Sequence, residues 1–262
     1  MRHGLKEKLD CLYARYNRPE YIDPDPLLFL YNYRDKQSRE IAGFTAACFA
    51  YGRVEMIMKT VGRILDTLGP EPGAFLAASS KEDLAHLFAG FRYRFADHTH
   101  LVNLLMGLKD VMARFSSLED CFNTGLDRND ETVLSGLSFL SDQIRDSRDI
   151  SHLLADPSKS SACKRSHLFL RWMVRKDRVD PGGWDTVPPA RLIIPLDRHM
   201  FTAGTLLGFT SRKSADLKTA LEVTQGFREL DADDPVKYDF CLTRFGIRRD
   251  LTMSALAAFV CA

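Results

Sequence analysis

Residues 101–112 read LVNLLMGLKDVM, and this stretch decides the fold class. Leu101, Leu104, Leu105, Leu108, Val111 and Met112 recur at steps of three and four, which lines one face of an α-helix. A strand would bury every second residue, and this stretch does not alternate. The same period continues on both sides. Upstream, Ile41, Phe44, Cys48 and Phe49 predict one helix that Gly52 breaks. Val54, Ile57, Val61 and Leu65 predict another that Gly69 and Pro70 stop. Ser80 with Asp83 has the spacing of a capping box, and Ser117 with Asp120 that of a further cap. Downstream, Val133, Leu137, Phe139 and Leu140 give the next helix.

The second half follows the same pattern. A helix is expected from near Ala162 to about Arg175. Residues 176–189 hold Pro181, Gly182, Gly183, Pro188 and Pro189 and read as a connecting loop. Further helices are expected from near Asp197, after a Ser214 cap, after Asp234-Pro235 as N-cap and first helical residue, and from about Thr252. No convincing pair of strands is found; the run 191–194 is extended at most. The expectation is therefore an all-α protein.

Composition sets the class. Of 262 residues, 45% are hydrophobic and 27% charged, enough for a substantial core, and the net charge of +1 sets up no global field for nucleic acid. No run of about 18 apolar residues predicts a membrane span, and the charged start MRHGLKEKLD does not read as a signal peptide. Cysteines stand at 11, 48, 121, 163, 241 and 261 with no CxxC pair, the usage of a reduced, cytoplasmic protein without a cysteine-bound metal or cluster. No cofactor is expected. His98 and His100 lie two apart, and on a helix such positions diverge, which argues against a metal site there.

Two phrases carry the chemistry: SACKRSHLFLRW at 161–172 and IIPLDRHM at 193–200. The second resembles the Pro-x-Asp-x-His phrase of the helix-hairpin-helix Gly/Pro-Asp superfamily of DNA glycosylases, and the first resembles its segment after the hairpin. The 33-residue separation of Lys164 and Asp197 is closest to the archaeal 8-oxoguanine glycosylase-like branch. The whole chain is also similar to an uncharacterised bacterial protein family through Asp23-Pro24 with Tyr33, Ala50-Tyr51-Gly52-Arg53, LRWMVR at 170–175 and DPVKYDF at 234–240.

The glycosylase resemblance implies a two-lobed helical fold with a degenerate helix-hairpin-helix element. Residues 38–175 would form one lobe carrying Lys164. Residues 1–37 and 190–262 would form the other, carrying Asp197, with double-stranded DNA as the partner between them. Lys164 would be the nucleophile and Asp197 the catalytic carboxylate in excision of a damaged base, an oxidised purine by analogy with that branch, with lyase activity following from the imine. An amine must be neutral to attack, and both Arg165 and a helix N-terminus favour that form. His199, in the same phrase, is expected to be structural.

Between residues 159 and 178 stand Lys159, Lys164, Arg165, Arg171, Arg175, Lys176 and Arg178 against Asp177 alone. Lys159, Ser160, Arg165, Arg171 and Arg175 are the candidate phosphate contacts. Trp184, in the loop, is the better candidate to stack on a flipped base; Trp172 is the second, although a core role suits it better. The resembled hairpin carries a Gly-x-Gly turn, whereas residues 156–161 read DPSKSS without glycine. That favours a rival reading, a non-catalytic nucleic-acid-binding module of the same fold. The near-neutral charge favours another, a helical protein-interaction scaffold.

Overall fold

The computed structural model describes residues 2–261, with the side chains of residues 2, 3, 151 and 261 outside the description. It is an all-α protein whose strands amount to one two-residue pair among the described residues. No helix is long and apolar enough to cross a membrane. The chain opens with α1 (Arg2–Tyr16). It divides into two compact units, residues 24–158 and residues 1–23 with 159–262. The division differs from the expected one. Both termini do share a unit, but that unit begins at 159 and includes the Lys164 helix and the loop 176–189.

The 24–158 unit holds α2 (Lys36–Cys48), α3 (Val54–Leu68), α4 (Pro72–Ala78), α5 (Lys81–Leu87), β1 (Arg92–Tyr93), β2 (Ala96–Asp97), α6 (His98–Phe115), α7 (Leu118–Thr124) and α8 (Leu134–Arg145). Leu101, Leu104, Leu105, Leu108 and Val111 of the predicted stripe are buried and Met112 is half-buried, and α6 packs against α4, α5, α7 and α8. Both expected caps form: Ser80 and Asp83 make the capping box of α5, and Ser117 caps α7. His100 caps as well, its Nδ1 accepting from Asp97 N at 3.2 Å. Glu40, on α2, is fully buried and reaches the start of α7, where its two carboxylate oxygens accept from Leu118 N and Glu119 N, each at 3.0 Å. A carboxylate there satisfies two amides that a helix start leaves without partners and complements the helix dipole. The β1–β2 pair escaped the sequence reading because RYRFAD at 92–97 is too short to show a period.

The other unit joins α1 to α9 (Lys164–Val174), α10 (Arg198–Leu206), α11 (Leu217–Arg228), α12 (Asp239–Ile247) and α13 (Met253–Cys261). Residues 169–174 are all buried, so α9 is a core helix. α1 packs on α12 and α13, and Asp10 fixes it by accepting from Tyr238 Oη at 2.8 Å and Lys237 Nζ at 3.0 Å. Two expected caps are corrected. Asp216 caps α11 in place of Ser214, its Oδ1 accepting from Thr219 N at 3.0 Å, because the helix begins at Leu217 and Ser214 lies two residues before the cap position. Asp234-Pro235 opens a turn ahead of α12, since the Asp234 carboxylate is taken by Arg175 at 2.9 and 3.1 Å. Cys11 is exposed and Cys48, Cys121, Cys163 and Cys241 are buried, all as free thiols; the Cys261 side chain lies outside the described residues.

Candidate active site

Lys164 and Asp197 stand at the starts of successive α-helices of one unit. Lys164 is the first residue of α9 and is half-buried. The turn before it takes its left-handed step at Cys163, with φ of +43°, rather than within 156–161. A buried thiol thus holds a conformation that favours glycine, which is a strained arrangement directly before the candidate nucleophile. The turn is anchored from α11: Ser160 O accepts from Leu217 N at 3.0 Å, and Ser161 bridges to Asp216.

Asp197 is the N-cap of α10, with Oδ1 accepting from Met200 N at 2.8 Å. The buried run 192–196 delivers it, and Ile194 N donates to Thr224 Oγ1 at 3.0 Å. Two residues on, His199 lies against Gly246 of α12, so closely that a Cβ at 246 would overlap its ring. Burial pushes the His199 imidazole below its ordinary value. The Asp197 carboxylate opposes that shift, and Arg198, Lys164 and Arg244 add to it. The candidate amine and the candidate carboxylate therefore act on one imidazole. Arg244 is buried, with its guanidinium 4.3 Å from the Phe240 ring centroid.

Beneath these groups lies a network of ion pairs that the sequence reading missed. Arg171 pairs with Asp180 at 3.1 Å and with Asp239, and Arg175 pairs with Asp180, with Asp177 at 2.9 Å and with Asp234. Arg171 and Arg175 are 2% and 3% exposed, so neither can reach a phosphate; this corrects their assignment as DNA contacts. Two guanidiniums face four carboxylates. Burial accordingly raises Asp239 to about 6, against the pull of Arg171, and the nearby Asp197 and Asp180 charges push it the same way. The signal was present in LFLRWMVR at 168–175: an arginine inside an apolar run is buried, and a buried guanidinium must be paired.

The two tryptophans are likewise corrected. Trp172 is fully buried, and Trp184 is 2% exposed with its ring edge-on to Phe169 at 5.4 Å, so neither presents a face to a flipped base. A Gly-rich loop was no guide to exposure, because the amides of Gly182 and Trp184 bond back to Trp172 O and Met173 O at the end of α9. Lys159 and Ser160 are exposed and Arg165 is half-buried. His167 is buried with neither ring nitrogen hydrogen-bonded, and burial lowers it to about 4.

No curated protein and no solved structure matches this chain. One family model does, over residues 25–248; its description is "Protein of unknown function (DUF2400)". The matched span includes the Lys164 helix, the Asp197 phrase and all six partners of the buried ion-pair network. The chain belongs to the DUF2400 family.

Proposed function

We propose that this protein excises damaged bases from DNA, with Lys164 as the nucleophilic amine and Asp197 as the carboxylate that stabilises the sugar cation. One observation supports the reading: Lys164 opens α9 and Asp197 caps α10, so both candidate groups stand at helix starts of one unit. In the proposed reaction Lys164 Nζ attacks C1′ of the damaged nucleoside, and the N-glycosidic bond breaks with its electron pair leaving on the base. The base takes up a proton, the amine gives one up, and opening of the sugar ring leaves an imine at C1′. Positive charge builds on the sugar as the base departs, and a carboxylate beside it lowers the barrier. The base must leave the helical stack to be reached. Lys159, Ser160 and Arg165, around the start of α9, remain as the phosphate contacts of this scheme.

Asp197→Asn tests it. The amide oxygen can still accept from Met200 N, so the cap of α10 survives while the charge is lost. Excision from a lesion-bearing duplex should fall by about a hundred- to a thousand-fold with thermal stability nearly unchanged. Excision at the wild-type rate would remove Asp197 from the scheme. A second reading, a nucleic-acid-binding protein without turnover, is favoured by the glycine-free stretch 156–161 and by the loss of Arg171 and Arg175 to buried pairs. It predicts salt-dependent duplex binding with no base released.

A further inference from the structure

The β1–β2 hairpin of the 24–158 unit carries Phe95 at its tip, and Phe95 is 74% exposed, more than any other large apolar side chain among the described residues. Arg92 and Arg94, on either side of Tyr93, are exposed as well, and so is Arg53. The turn between the paired residues Tyr93 and Ala96 is only Arg94-Phe95, and Arg94 adopts φ of +54°, a left-handed conformation that glycine or asparagine ordinarily supplies.

That conformation is braced from below. Tyr93 Oη donates to Tyr51 O, and Tyr51 Oη donates to Tyr93 O at 3.2 Å. Tyr51 Oη is also hydrogen-bonded to His152 Nε2 at 2.9 Å, with the donor set by the imidazole tautomer. The His152 ring stands edge-on to both Tyr51 and Phe95. Gly52, at φ of +103°, leaves room for the turn: a Cβ there would lie 2.9 Å from Tyr93 Oη and 3.1 Å from Arg94 Nη1. The fold thus fixes a strained tip, and the side chains it holds in water are an aromatic ring and two guanidiniums. Beside it opens a cavity of about 550 Å³, lined in part by Arg92, Arg94, Phe95 and His98. Two carboxylates stand at this end: Asp97, which also lines the cavity, and the exposed Asp149, 2.8 and 3.7 Å from His100.

We propose that this hairpin is a nucleic-acid contact, in which an unpaired base of a DNA strand stacks on Phe95 while Arg92 and Arg94 hold flanking phosphates. A base offers a flat face whatever its identity, with a phosphate on either side, and that matches a ring flanked by guanidiniums. A base already unpaired pays no unstacking cost to reach the ring. The proposal rests on the nucleic-acid reading above but not on its chemistry.

The test uses the full chain and a single-stranded oligonucleotide containing 2-aminopurine, with a fully paired duplex for comparison. Wild type should bind the single strand and quench the 2-aminopurine. Phe95→Ala should abolish the quench and weaken binding by about 5- to 150-fold, the range for loss of one stacked base, while Phe95→Trp keeps both. Arg94→Gly, which suits the left-handed turn and so keeps the hairpin, should weaken binding and reduce its salt slope by about 0.7. Tight binding and full quench in Phe95→Ala would overturn the hairpin contact and leave the base-excision reading standing. Quench that depends on Phe95 in a protein that releases no base would uphold the contact and remove the chemistry. Absence of any oligonucleotide binding would overturn the contact.

Discussion

The imidazole of His199 rests on the Cα of Gly246, filling the place a side chain would take on the last turn of α12. This contact binds the Asp197 phrase to α12 at close range, and only glycine permits it. Gly246→Ala must push the ring out or part the two helices. We expect a loss of about 1–3 kcal/mol in stability, the usual cost of overpacking. The His199 titration should also rise toward its ordinary value of about 6.5 as the ring gains water, which NMR of the imidazole protons can follow. An unchanged titration in a stably folded variant would mean that the ring does not depend on the glycine.

Arg171 separates a structural role from a DNA-binding one. Arg171→Met leaves the buried Asp180 with Arg175 alone and takes from the buried Asp239 the guanidinium it pairs with. Breaking such a pair costs about 3–5 kcal/mol. Adding Asp239→Leu to the same chain should restore part of that loss, because the second change removes a charge that had lost its partner. Chemical denaturation of the three variants measures this. A phosphate-contact role for Arg171 predicts the opposite: little change in stability and weaker DNA binding.

His167 should make the fold acid-sensitive. Folded, it is held down to about 4 by burial; unfolded, it titrates near about 6.5. Between those values the unfolded chain binds a proton that the folded chain refuses. Stability from this group is therefore complete above about pH 6.5 and declines as pH falls through 4, by about 3 kcal/mol. Asp239, raised to about 6, works in the other direction over part of that window, because its folded form holds the proton longer. The difference between wild type and His167→Phe isolates the histidine. That difference should shift toward the variant by about 3 kcal/mol between pH 7 and pH 4, and a constant difference would contradict the assignment.

Glu40 serves the same end in the other unit. Glu40→Ala leaves the amides of Leu118 and Glu119 buried without their acceptor. A cost of about 1.5–3 kcal/mol is expected for each charged hydrogen bond lost. Faster hydrogen exchange should appear first at the start of α7. Glu40→Gln, which keeps one acceptor oxygen, should fall between the two.

The helices were legible because their apolar spacing is local. Leu101 to Val111 predict α6 and its buried face together, and the Ser80–Asp83 and Ser117–Asp120 spacings mark real helix starts. The start of α9 and the capping role of Asp197 were also readable from their phrases. What escaped was set by partners far along the chain. Arg171 and Arg175 read as a basic face because their carboxylates lie as much as 68 residues away, at Asp234 and Asp239. Trp184 read as exposed because its loop is rich in glycine, yet the loop folds back on α9. Asp234 read as a cap until Arg175 claimed it. Spacing reveals what a residue can do in its own element, whereas a buried charge is decided by whatever packs across from it.

In the reaction proposed above, the Lys164 amine forms a covalent imine with the DNA sugar. Wild type and Lys164→Gln are each incubated with a panel of lesion-bearing duplexes in the presence of borohydride, and any cross-linked peptide is sequenced. A trapped complex is expected with wild type on at least one lesion, mapped to Lys164, and none with Lys164→Gln, because Arg165 beside it stays protonated and cannot replace the amine. A trapped complex that persists in Lys164→Gln, or no trapping and no base release by wild type on any lesion, would contradict it.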